Sequence, residues 1–159
     1  MKTAIIGYPY VSEHNGWIEM IHSYINQNLT QSQLLNGITK LQMKQLKKQR
    51  ALGIDVLTIG DFPILDRMLD MAYMFNMIPQ RFKMQHKRRS LQLYFDMANG
   101  YTVPACETTS WFSTNYQYYV PEYEGQKLQL KDNFFLKPIQ KCIDEFGVSP
   151  RVTMIGPYT

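Results

Sequence analysis

Three times in this chain an apolar run closes on a glycine: Ile6-Gly7-Tyr8-Pro9, Ile59-Gly60-Asp61-Phe62-Pro63 and Ile155-Gly156-Pro157-Tyr158. The runs are too short for packed helices and read as buried strands. Helical spacings fill the sequence between them. Strands that alternate with helices lead to an α/β fold with a parallel sheet. Glycine just past a strand lets backbone or ligand approach closely. Parallel α/β folds bind ligands at the carboxyl ends of their strands. Tyr8, Asp61 and Tyr158 are therefore expected to line one face.

The pattern can be followed along the chain. Residues 3–8 form a first strand, and residues 14–27 a helix with one apolar face of Trp17, Ile18, Met20, Ile21, Tyr24 and Ile25. Thr30-Gln31-Ser32-Gln33 reads as a capping box opening a helix to about Leu52, with Leu34, Leu35, Ile38 and Leu41 inward and Gly53 as its stop. Residues 54–59 give a second strand. Pro63 fits the first turn of a helix carrying Ile64, Leu65, Met68, Leu69, Ala72 and Phe75. Residues 80–89 read as a basic loop, 90–98 as a short helix, and 103–110 as a third strand. The aromatic stretch 111–131 is a long excursion with some strand pairing. Pro138 opens a last helix ending at Gly147, and 151–155 is a fourth strand.

Composition narrows the class. A chain of 159 residues is about one domain. At that size a chain buries roughly 68–70% of its unfolded surface. With 45% apolar and 19% charged residues it belongs with folded proteins rather than disordered ones. The ten Met read as adaptable core filler. No run approaches the ~18 apolar residues of a membrane span, and the start lacks the apolar stretch of a signal peptide. Cys106 and Cys142 form no CxxC pair, so reduced thiols in a cytoplasmic protein are the expectation. The net charge of +4 sits in two runs. Lys40, Lys44, Lys47, Lys48 and Arg50 read as a solvated helix face. Arg81, Lys83, Lys87, Arg88 and Arg89, with His86 among them, are more concentrated and open to an anionic partner. No RNA motif or recognition helix accompanies the charge, which argues against nucleic acid. Phosphate-binding glycine loops and the nucleophile elbow are absent.

Glu107-Thr108-Thr109-Ser110-Trp111-Phe112-Ser113-Thr114-Asn115-Tyr116-Gln117-Tyr118-Tyr119-Val120-Pro121-Glu122 is more specific than a generic strand. It resembles the E-x-T-K-W-F-x-T-N-Y-H-Y-x-V-P-E segment of the amino-terminal domain of cobalamin-independent methionine synthase. Gly53-Ile54-Asp55-Val56-Leu57 leading into Gly60-Asp61-Phe62, and Gly156-Pro157-Tyr158-Thr159, agree in order and spacing. The resemblance runs from about Gly7 to the last residue.

The resemblance implies a partial (β/α)8 TIM-type barrel of about four parallel strands with flanking helices, a complete barrel needing about 250 residues. On this reading residues 1–159 are an incomplete amino-terminal barrel domain. Its role in the family is to help bind 5-methyltetrahydrofolate polyglutamate for methyl transfer to homocysteine. The family's zinc belongs to a carboxyl-terminal barrel, so no cofactor is expected in this chain. Its own His14, His22, His86 and two Cys show no ligand spacing. Asp61, Glu107, Trp111, Asn115 and Tyr116 are the ligand-pocket candidates. Each also has a structural reading: Asp61 as a helix cap, Glu107 paired with an inward cation, Trp111 as core, Asn115 and Tyr116 as pins of the turn. The family's G-F-P-R-x-G-x-x-R-E-x-K reads Gly7-Tyr8-Pro9-Tyr10-Val11-Ser12-Glu13-His14-Asn15-Gly16-Trp17-Ile18 here. Its two tail-facing cations fall at Asn15 and Ile18, and the Lys of T-K-W falls at Ser110. Charge-assisted bonds contribute roughly 1.5–3 kcal/mol each, so folate polyglutamate binding is expected to be weak. The alternative is a non-catalytic paralogue, a binding or assembly module. Either way, open strand edges imply a homo-oligomer or a second chain completing the barrel.

Overall fold

The computed structural model describes residues 1–8 and 16–156. The chain divides into two compact units, one of Met1–Ile64 with Phe134–Thr159, the other of Leu65–Asn133. Helices and a few short strands make it an α/β protein.

The first unit contains α1 (Gly16–Ile25), α2 (Gln31–Ala51), β1 (Thr58–Ile59), α6 (Leu136–Phe146) and β4 (Arg151–Val152). The capping box at α2 is formed as its sequence spells it. Gln33 N–H donates to the Thr30 hydroxyl, and the Thr30 N–H donates to the Gln33 side chain. Gly53 follows the helix with φ +77°. Leu34 and Ile38 are buried, while Leu35 and Leu41 are only half-buried. Strand pairing is parallel: β1 runs beside β4, and Ala4 bridges Val56 on the other edge. A core of Leu46, Leu57, Ile59 and Cys142 lies between this sheet and helices α2 and α6. Each such side chain contributes about 1.5–3 kcal/mol on burial. Helix α6 begins two residues before Pro138 and ends on Gly147 in the left-handed region.

The second unit contains α3 (Arg67–Met74), α4 (Gln80–Gln85), α5 (Leu91–Asn99), β2 (Thr108–Ser110) and β3 (Gln117–Tyr119). Its centre is α5, buried on nearly every side through Leu91, Leu93, Tyr94, Phe95, Met97 and Ala98. The Tyr94 hydroxyl donates to Asp70 and accepts the N–H groups of Leu65 and Asp66. Burial, then the Asp70 charge, pushes its pKa well above the ordinary tyrosine value.

Four expectations need correction. The third helix starts at Arg67 rather than near Pro63, because Asp66 caps it by accepting the Leu69 N–H; Ile64 and Leu65 precede the helix. Residues 80–85 are helical rather than loop, with Phe82 as the buried anchor. Residues 103–110 supply no strand to the parallel sheet. Only Thr108–Ser110 is a strand, and it pairs antiparallel with β3. The parallel strands are also much shorter than the apolar runs that signalled them: residues 3–8 contribute a single bridge, at Ala4. Four parallel strands are thus replaced by three short parallel segments and a separate hairpin.

Candidate functional site

In the first unit, the carboxyl end of β1 gathers polar groups. Gly60 has φ +91°, and a Cβ there would fall 2.1 Å from the Thr153 carbonyl oxygen, so only glycine fits the close passage beside β4. Asp61 follows and is buried. Its carboxylate accepts the Tyr8 N–H at 2.9 Å. A Cβ on Gly7 would stand 3.1 Å from the same carboxylate, so the glycine keeps this approach open. Asp61 therefore holds the backbone at Tyr8, and the cap of α3 expected of it is supplied by Asp66 instead. Phe62 packs edge-on against Trp17, whose indole N–H donates to the Ile64 carbonyl. A shallow pocket lined by Tyr8, Gln42, Gln49, Thr58, Gly60 and Asp61 lies at this end of the sheet. The expected face of Tyr8, Asp61 and Tyr158 is realised for the first two; Tyr158 lies outside the described residues, as do Asn15 and His14.

In the second unit, the other four candidates lie on one hairpin. Glu107 precedes β2 and its side chain is exposed; its carbonyl accepts the Val120 N–H. At the other end of this segment it is Glu122 that takes a cation. Arg81 grips Glu122 through both guanidinium nitrogens, with Nη2–Oε1 at 2.8 Å, and also donates to the Pro104 and Ala105 carbonyls. That grip, aided by the Arg81 charge, holds the Glu122 carboxyl below its usual value against the opposing effect of burial. Beside it the Cys106 thiol is pushed up to about 12 by burial and the Glu122 charge, so it is an inert core group.

Trp111 is half-buried, not core. It opens the hairpin loop with its ring edge-on to Phe112 and Tyr118. Its N–H donates to the Tyr116 carbonyl, and its carbonyl accepts the Thr114 hydroxyl at 2.6 Å. Phe112 has φ +49° and is 83% exposed. Asn115 is exposed in the turn. Tyr116 reaches back: its hydroxyl donates to Asp66 at 3.3 Å. Burial raises the Asp66 pKa, while bonds from the Leu69 N–H, the Tyr119 N–H and the Tyr116 hydroxyl oppose the rise. The hairpin is thereby fastened to the start of α3. Trp111, Asn115 and Tyr116 are thus brought together at the turn. Glu107 stands at the hairpin's base, and Asp61 belongs to the other unit.

Much of the basic run is committed internally. Arg89 donates to Asp132 and the Tyr73 carbonyl and stacks over the Tyr73 ring at 4.0 Å. His86 pairs with the buried Asp96 at 2.7 Å. Lys87 and Arg88 stay exposed. Among the described residues no three His, Cys, Asp or Glu side chains gather into a set that could hold a metal ion. No helix of the described residues is long and apolar enough to cross a membrane.

One unit thus holds a short parallel sheet with helices, and the other a W-F-S-T-N-Y hairpin loop closed by V-P-E. The family model for the cobalamin-independent synthase N-terminal domain matches residues 2–159, and the chain belongs to that family. It is 36% identical over 160 residues to a 5-methyltetrahydropteroyltriglutamate–homocysteine methyltransferase of Halalkalibacterium halodurans. It is 37% identical over 161 residues to the protein of the same name from Bacillus cereus strain AH187. Both alignments take in 100% of this chain and 21% of the relative, so the chain spans about a fifth of the length of the curated relatives it matches.

Proposed function

We propose that this chain is the folate-binding side of a 5-methyltetrahydropteroyltriglutamate–homocysteine methyltransferase, serving methionine biosynthesis in the cytoplasm and not catalytic by itself. The observation that carries the proposal is the end-to-end match to the family's N-terminal domain, with the hairpin around Trp111 intact. The parallel order of Ala4, β1 and β4 fits the first part of a (β/α)8 barrel. The hairpin loop would offer Trp111, Phe112 and Tyr116 as ring surfaces to a pterin. The tail of the folate would find Asn15, Ile18 and Ser110 where the family has cations. Binding of 5-methyltetrahydrofolate triglutamate is therefore weak, and Asn15→Arg, Ile18→Lys and Ser110→Lys together should strengthen it in a salt-sensitive way. Isothermal titration calorimetry of both proteins decides. Tight binding by the unaltered chain, or no gain in the triple variant, overturns this alignment of contacts.

A second reading rests on the same neutral positions. Without the three cations the chain would be a non-catalytic paralogue that binds or assembles with a partner. Failure of both proteins to bind the folate, with a stable complex formed instead, would favour it.

A further inference from the structure

The first strand leaves the sheet early, and a side chain takes its place. Val56 N–H donates to the Thr3 carbonyl at 3.0 Å, and Ala4 bridges Val56. A parallel ladder continues by two-residue steps, so the next bonds would run from Thr58 N–H to the Ile5 carbonyl and from Gly7 N–H to the Thr58 carbonyl. Neither of those Thr58 groups is turned toward β4, because β4 bonds to Leu57 and Ile59: Arg151 N–H donates to the Leu57 carbonyl and Thr153 N–H to the Ile59 carbonyl. Both Thr58 groups are instead taken by one carboxamide. Thr58 N–H donates to Gln49 Oε1 at 2.9 Å, and Gln49 Nε2 donates to the Thr58 carbonyl at 3.1 Å. Gln49 comes from α2 and is 1% exposed. Its amide reproduces the donor and acceptor of a neighbouring strand, as a primary amide can.

We infer that Gln49 and the first strand compete for the same two backbone groups of Thr58. Gln49 is then a latch that holds residues 5–7 out of the sheet, and the chain has a second, zipped arrangement in which they join it. Two observations support a short path between the two. The Ile5 carbonyl still accepts the Thr58 hydroxyl at 3.4 Å, so it has not left the neighbourhood. Ile6, a β-branched residue suited to a strand, stands 94% exposed. The latch also governs the candidate site. The released segment reaches Asp61 through the Tyr8 N–H, and zipping Gly7 onto Thr58 would draw that segment across the polar pocket.

Residue-resolved amide exchange on the 159-residue chain tests this. Gln49→Met keeps the length of the side chain and removes its amide. The expected result is that the Thr58 amide stays protected, now by Ile5, and the Gly7 amide slows by about tenfold or more. Loss of protection at Thr58 with no gain at Gly7 overturns the inference, because Gln49 would then only satisfy an edge that nothing else can reach. Should the variant not fold, the unaltered protein decides. Its Gln49 side-chain amide protons should exchange together with the Thr58 amide and as slowly as core amides. Exchange at the rate of a free side chain overturns the latch.

Discussion

Asp66 acts at two places at once, capping α3 and receiving the Tyr116 hydroxyl. Burial raises its pKa, so its protonated form is the better accommodated one. The associated stability is fully present below the unfolded value near 3.9 and is lost as pH rises through the higher folded value. Asp66→Asn keeps a good cap and abolishes the titration, so its urea midpoint should decline less than that of the unaltered protein over this window. Asp66→Ala also loses the cap and should cost about 0.5–2 kcal/mol. Glu122 has the opposite sign. Its carboxyl is depressed by Arg81, so its contribution is present above the unfolded value near 4.3 and is lost as pH falls through the lower folded value. Glu122→Gln should make the acid limb of the stability curve shallower, read by the same titrations. Asp66 fell inside the helix expected from Pro63 and was not read as its cap. Pro63 sent a competing start signal three residues earlier. The Arg81–Glu122 pair joins residues 41 apart and leaves no local trace in the sequence.

Helices and strands differed in legibility for a physical reason. The capping box of α2 and the glycine after α6 are local devices, and both appear where the sequence puts them. Thr30→Ala should therefore cost about 0.5–2 kcal/mol in a denaturant titration. A strand is defined by its neighbour, and apolar character alone does not say how far two strands stay paired. Residues 54–59 carry four apolar side chains, Ile54, Val56, Leu57 and Ile59, yet their ladder positions are shared among Thr3, β4 and the Gln49 side chain. The 80–89 run hid a helix because its cations masked the single anchor, Phe82. The glycine signal was sounder. Gly60→Ala must combine a left-handed backbone with a clash on Thr153, and it should destabilise by more than about 1 kcal/mol.

Family membership was readable because a sixteen-residue segment, Glu107–Glu122, carries it independently of any element assignment. The candidate site was read less completely: Tyr116 was read as a pin of the turn, but Asp66, which receives its hydroxyl, lies 50 residues away and left no local signal of that bond. The chain exposes Ile6, Phe112, Leu128, Leu130, Leu136 and Met154. Apolar exposure together with short open strand edges favours association. The expected state is a homo-oligomer, most simply a twofold dimer. Light scattering from micromolar to millimolar concentration checks it, and a monomer throughout would count against a half-barrel in need of completion. The two tryptophans add a means of following the chain as it loosens or binds. Trp17 is buried in one unit, and Trp111 is half-buried on the hairpin of the other. Each unit thus carries its own natural fluorophore. The sheltered indole should emit toward the blue and the wetter one toward the red, so a single emission spectrum would report whether one unit gives way while the other holds, with no dye attached.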